Sequence, residues 1–475
     1  MALKLHSFTF LFYDYETFGI HPALDKPAQF ACIRTDANLN IIDIPNEIFC
    51  IPPIDYFPDP EAILITGISP NYAKKHGLNE FEFAQKIYKQ FKKPNTCIVG
   101  YNNIHFDDEV TRNIFYRNFI DPYEWSWKNG NSRWDILNIL RAYYSLRPEG
   151  ICWSISGDNN YPSFKLSNIS KCNNINHLQA HSAVSDVYAT LQVAQLLRKK
   201  QPKLFNYCFK YRSKKELLKI IDIVNIKPMI YISQLFGLLR KNISIIAPIS
   251  WHPGNSNILI SFDLTKSAKN FLNCFLDEDV NTVDYSQFFK QGIVLIYINR
   301  CPILTPVNAI KVKYIQSIGI DLRLCNENLL LIRNSIVFKK KLKTFIKNSK
   351  KLQHKDVDLQ LYNDFFNNSD KKLITVINTL LEQHFFDRIL PISNSRIQSL
   401  MMRCISRNYP DLLNNSEKDV WKQHCRQIVN KKNVFIYVQK ILKLLELHSN
   451  NVKNVLLLKD LLKYSHDLHN SVLNM

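Results

Sequence analysis

A chain of 475 residues with 46% hydrophobic and 12% aromatic side chains can bury a large core, and at roughly 150 residues per domain it predicts about three domains. Only 11 Gly and 20 Pro exclude a collagen-like or low-complexity polymer. The net charge of +20 suits a polyanionic partner such as nucleic acid, although an A+T-rich coding sequence, crowding Lys, Asn and Ile onto solvated surfaces, explains the same excess.

The 11 cysteines are scattered without a CxxC pair, which predicts reduced thiols rather than a disulfide framework or a zinc site. Asp14 and Glu16 interrupt the first apolar run and no cleavage site follows, so no signal peptide is expected. Nowhere do ~20 apolar residues run together, so no membrane span is expected either. The expected compartment is the cytoplasm.

In chain order, residues 8–13, 29–35 and 39–43 read as strands, the last two antiparallel across an Asp36-Ala37-Asn38 turn, and 96–101 reads as another. Segments 80–91, 108–118, 133–145 and 183–199 carry helical apolar spacing. Together they predict an α/β layer domain over 8–201. Beyond Gln201-Pro202, β-rich stretches at 243–249, 257–262 and 292–298, separated by turns such as Pro253-Gly254-Asn255-Ser256, predict an α+β domain over 202–352. A charged stretch at 339–355 leads into helical segments at 372–383, 396–406, 434–448 and 452–469, predicting an all-α domain over 355–475. No fixed-period repeat is present, which excludes solenoids and propellers.

The chemistry concentrates in three places. Asp14 and Glu16 stand two apart at the end of an apolar strand, so both project to one face. Repulsion between such carboxylates raises one pKa unless a cation lies between them; a solvated acidic turn is the plain alternative. Next, Asp107 and Asp108 follow the 96–101 strand at a helix start, where either could be a simple N-cap. Finally, His181 precedes a helix and Asp186 lies one turn inside it, an HxxxxD spacing that is weak alone. His177 and His181 are spaced HxxxH, but without an HExxH glutamate they do not make a zinc site.

In this order, a DxE at a strand end, a distal Asp after another strand and a late HxxxxD resemble the DEDDh 3′→5′ exonucleases. The segments 10–19, 27–31, 64–68, 100–113 and 131–135 are similar to those of the bacterial exonuclease I family. That resemblance implies an RNase H-like exonuclease domain, an SH3-like α+β domain and a helical C-terminal domain. It also implies processive 3′→5′ hydrolysis of single-stranded DNA to 5′-mononucleotides in DNA repair, by a monomer. Hard oxygen donors select Mg²⁺, with Mn²⁺ able to substitute, and two ions about 3.5–4 Å apart suit phosphodiester hydrolysis. Asp14 is expected to bridge both ions, with Glu16 and Asp186 completing one site and Asp107 helping to hold the other. His181 is the expected general base.

For the substrate strand the candidates are Glu16, Lys165, Arg112 and Arg141. Lys165 stands where the resembled family usually carries Arg, so a planar fork is replaced by a point charge. Trp125, Trp127 and Trp134 suit either base stacking or core packing. The resemblance further implies docking of the acidic C-terminal tail of single-stranded-DNA-binding protein. Two other readings stay open here: an exoribonuclease with the same active-site chemistry, and a binding scaffold on an inactive nuclease fold.

Overall fold

The computed structural model describes residues 8–156, 161–177, 181–277, 289–347, 353–385 and 390–475. Part of the charged stretch, 348–352, lies outside them, while its beginning is helical, in Ile336–Lys347. The chain packs as two compact units. One comprises the chain to Ser132, His177–Ala189 and the residues from 352 onward; the other comprises Arg133–Asn176 and the residues from 190 to 351.

In the first unit, β1 (Thr9–Thr17) is flanked on one side by antiparallel β2 (Pro27–Thr35) and then β3 (Asn46–Phe49). On its other side lies parallel β4 (Thr96–Gly100). β2 is buried at every residue, as a near-continuous apolar run in a covered sheet requires. The expected strand at 39–43 is corrected to 46–49. Asp36 Oδ1 accepts the amides of Asn38 (2.7 Å) and Asn40 (2.9 Å), a local turn that spends those backbone donors before a ladder can form. Only a single Thr35–Ile41 bridge remains there.

Three helices follow β3: α1 (Pro60–Thr66), α2 (Pro70–His76) and α3 (Glu80–Phe91). Asp59, Ser69 and Asn79 cap them through side-chain oxygens, with Pro at the first turn of α1 and α2. α4 (Asp107–Arg117) follows β4. Tyr13, Phe30, Phe91, Phe115 and Trp125 form one aromatic core between the sheet, α3 and α4. A second core joins Phe18, Ile63, Phe81 and Tyr116 to C-terminal residues such as Ile397, Leu400 and Trp421. The helices expected in the C-terminal third are present as Asn368–Glu382, Ser395–Asn408, Lys431–Leu447 and Val452–Leu473, with a further one at Asn415–Ile428.

The second unit is built on a five-stranded antiparallel sheet in the order Ile293–Tyr297, Asn255–Asp263, Ile243–His252, Met229–Ile232, Ile303–Pro306. Met229, Ile246, Leu259, Ile296 and Leu304 fill its core. The helix expected at 133–145 starts later, at Ile136–Leu146, because Asp135 ends the short strand Ser132–Asp135 and caps the helix through the Leu137 amide (2.9 Å).

Candidate active site

β4 pairs with β1 only along Thr9–Phe12, so Asp14 and Glu16 project beyond that neighbour while β2 still supports them across from Ala31 and Gln29. The register shifts between Glu16 and Thr17, and such a bulge re-aims the side chains beside it. The chain beyond is pinned: Phe18 N–H donates to Lys26 O (2.9 Å), and the Tyr56 hydroxyl reaches Phe18 O (3.0 Å) and Asp25 (2.7 Å). A Cβ at Gly19 would sit 2.2 Å from the Asp25 carboxyl, so any larger residue there must displace that side chain.

α4 presents the next carboxylate. Asp107 is not the N-cap that its position suggested; Phe106 takes that place with no side-chain cap bond. Buried Asp107 instead accepts the Tyr15 amide on Oδ1 (3.2 Å), which ties α4 to β1 beside Asp14 and Glu16. Asp108 has a separate, structural task, accepting the Tyr13 hydroxyl (2.5 Å) and the Asn103 amide (3.1 Å). Sequence spacing alone could not divide these two neighbours.

His181 adopts φ +68° and is exposed, immediately ahead of the helix Ala183–Lys200, with Asp186 in its first turn. Gln29 Oε1 accepts the Ala183 amide (3.1 Å), so β2 anchors the helix start. Gln29 lies opposite Glu16 in the ladder; nothing in the sequence singled it out. Donor atoms of Glu16, His181 and Asp186 all come within 4.8 Å of one another. His177 Nε2 hydrogen-bonds Asp186 Oδ1, a contact the sequence reading did not foresee.

The electrostatics match this crowding. Burial, then Asp107, Glu16 and Asp186, hold the Asp14 carboxyl well above the usual range. Burial, Asp186 and Asp107 push Glu16 up to about 8. Asp186 is also raised, chiefly by burial, with both histidines acting in the opposite direction. A desolvated all-oxygen cluster with one imidazole at its edge stabilises divalent cations and is itself stabilised by them. The residues present therefore fit a hard divalent metal.

The chain is similar to known proteins over nearly its whole length. The family profiles "Exonuclease", "Exonuclease I SH3-like domain" and "Exonuclease I C-terminal domain" match residues 11–194, 212–348 and 355–468. An exodeoxyribonuclease I of Buchnera aphidicola subsp. Baizongia pistaciae is 52% identical over 464 residues, covering 97% of this chain and 96% of that protein. The chain belongs to the exodeoxyribonuclease I family. The crystal structure of E. coli exonuclease I with a dA16 oligonucleotide superposes with a TM-score of 0.90 at 39% identity, covering 97% of this chain and 100% of the other. An ExoI/SSB-Ct complex gives 0.88 at 39% identity, covering 98% and 100%. Membership in this exonuclease family implies a divalent metal, and one solved E. coli relative bound to single-stranded DNA carries zinc.

Within this exodeoxyribonuclease I fold the other candidate residues separate clearly. Arg112, expected on the substrate strand, is 7% exposed. It bridges Glu109 (2.6 Å) and reaches the Tyr362 hydroxyl (3.3 Å), lying over the Tyr123 ring. These contacts tie α4 to the C-terminal region. In the second unit, Arg141 is held by Asn138 (2.9 Å) and Gln234 (2.7 Å), and Lys165 is exposed at the N-cap of Leu166–Cys172. Trp125 and Trp134 are core residues, the latter packed on Phe205 and Phe209. Trp127 is 62% exposed. Among the described residues no helix is long and apolar enough to cross a membrane.

Proposed function

We propose that this protein is a monomeric, cytoplasmic exodeoxyribonuclease that digests single-stranded DNA processively from its 3′ end, releases 5′-mononucleotides and serves DNA repair. The observation that carries the reading is the grouping of Glu16, His181 and Asp186 within 4.8 Å of one another, with Asp14 close enough to Asp107, Glu16 and Asp186 to feel their charge, on a chain of the exodeoxyribonuclease I family. Asp14, Glu16, Asp107 and Asp186 would hold two Mg²⁺ ions, replaceable by Mn²⁺. Once bound, those ions neutralise phosphoryl charge and stabilise the leaving 3′-oxygen.

The chain's own groups do the rest. His181, exposed at the rim, takes a proton from the attacking water on an imidazole nitrogen, a contribution of about 10²–10⁴ in rate. Glu16 also contacts the terminal nucleotide. Lys165 contributes a single-point phosphate contact, with Arg141 as a second cation along the strand. The relative solved with SSB-Ct supports docking of the acidic tail of single-stranded-DNA-binding protein.

The deciding experiment is digestion of 5′-labelled single-stranded DNA, duplex DNA and RNA in parallel, with Mg²⁺ or EDTA. A ladder shortening from the 3′ end on single-stranded DNA alone, lost in EDTA and in Asp14→Ala, is expected. Comparable digestion of RNA would favour an exoribonuclease. No metal-dependent nucleotide release would favour a binding scaffold.

A further inference from the structure

His177 carries a buried titratable side chain beside the site that this mechanism leaves idle. Its side chain is 5% exposed, Nε2 meets Asp186 Oδ1, and Nδ1 is buried with no hydrogen-bond partner among the described residues. Burying an imbalanced imidazole is costly unless its one bond is worth keeping. That bond goes to a carboxylate in the group of Glu16, His181 and Asp186 whose donor atoms lie within 4.8 Å of one another. Asp186 sits in the first helical turn, with His177 on Oδ1 and His181 close enough to act on its charge. The HxxxH pair therefore does not close around one ion; its two histidines flank one carboxylate and do different work.

We propose that His177 is a positioning residue for the metal centre: its Nε2–H holds Asp186 Oδ1 so that the remaining carboxylate oxygen is fixed as the ligand. This rests on the metal reading above. Partners that orient metal-bound carboxylates contribute through affinity, and removing one typically costs about 10–100-fold. The bond needs a donor at the far ring nitrogen. Glutamine carries an amide at nearly that reach, whereas asparagine carries one at the position of Nδ1, too short to meet Asp186.

The test is titration of Mn²⁺ into the full-length protein without DNA, followed by calorimetry and by the electron paramagnetic resonance of free Mn²⁺. Circular dichroism melting confirms that each variant is folded. His177→Ala should weaken Mn²⁺ binding by about 10–100-fold, His177→Gln should restore it to within about threefold, and His177→Asn should behave as the alanine variant. If the alanine variant does not fold, the Gln and Asn pair decides alone. Equal Mn²⁺ affinity in those two, or unchanged affinity in His177→Ala, overturns the proposal. Asp186→Asn separates the two failures: Mn²⁺ binding retained there sinks the metal centre itself. Binding lost there but unaffected by His177→Ala sinks only the positioning role.

Discussion

Two clusters of buried charge lie in the same compact unit and behave in opposite ways. Where the C-terminal region meets the sheet, Asp358 contacts Lys26 (3.8 Å), Arg403 (3.1 Å) and Arg407 (2.8 Å), and Arg407 also bridges Asp55 (2.6 Å). Burial acts to raise both aspartates, yet the guanidinium of Arg407 and its neighbours pull them below the usual carboxylate range. Toward the end of β1, Asp14 and Glu16 suffer the same burial, and their acidic neighbours add to it rather than offset it. Burial is common to both; the sign of the neighbours separates a structural joint from a site that takes its positive charge from solution.

The contrast can be broken most forcefully at Arg407. Arg407→Ala strands two buried carboxylates and should destabilise the protein by about 3–5 kcal/mol, measured by urea denaturation; a loss below about 1 kcal/mol would dissolve the distinction. Asp14→Asn should do the reverse in metal-free protein, raising the melting temperature by roughly 1–3 °C as it removes one repelling charge, while abolishing nuclease activity.

A pH series sharpens the same point. Glu16 is shifted from 4.5 to about 8, so between those values the folded state binds more protons than the unfolded chain. Stability of the metal-free protein from this site therefore falls as pH rises from about 5 to 8. Asp55 and Asp358, shifted downward, give their full contribution throughout that window. Lys26, lowered to about 8, changes its contribution only above it. Melting curves with EDTA should decline across the window, and added Mg²⁺ should flatten the decline. A flat metal-free profile would contradict the acidic cluster.

The smallest effect is expected at Lys165. Lys165→Arg restores a planar fork and should tighten single-stranded DNA binding by roughly twofold to fivefold, read by fluorescence anisotropy; a weaker variant would argue that Lys165 does not meet phosphate.

The site carboxylates were expected because their order along the chain resembles the DEDDh exonucleases; strand alternation puts Asp14 and Glu16 on one face, while the HxxxxD spacing of His181 and Asp186 was weak alone. Such relations are set by backbone geometry within a few residues. The β-rich middle and the helical C-terminal third were legible for the same reason. Division of labour between Asp107 and Asp108 was not, since it depends on which carboxylate meets the Tyr15 amide and which the Tyr13 hydroxyl, about 90 residues away in sequence. The Glu109 carboxylate that claims Arg112 was visible three residues away, but nothing local showed Tyr362 and Tyr123 enclosing the pair.

Local pattern thus determined the broad class of each region and the order of the acidic groups, and the resemblance those motifs carry pointed to the family. Only tertiary packing decided which charges are neutralised inside the protein, which tryptophans are core and what His177 touches. Those outcomes depend on burial and on partners that the fold brings together, some nine residues apart and some 250, and both set the electrostatic cost of a charge far more strongly than its immediate neighbours in sequence do.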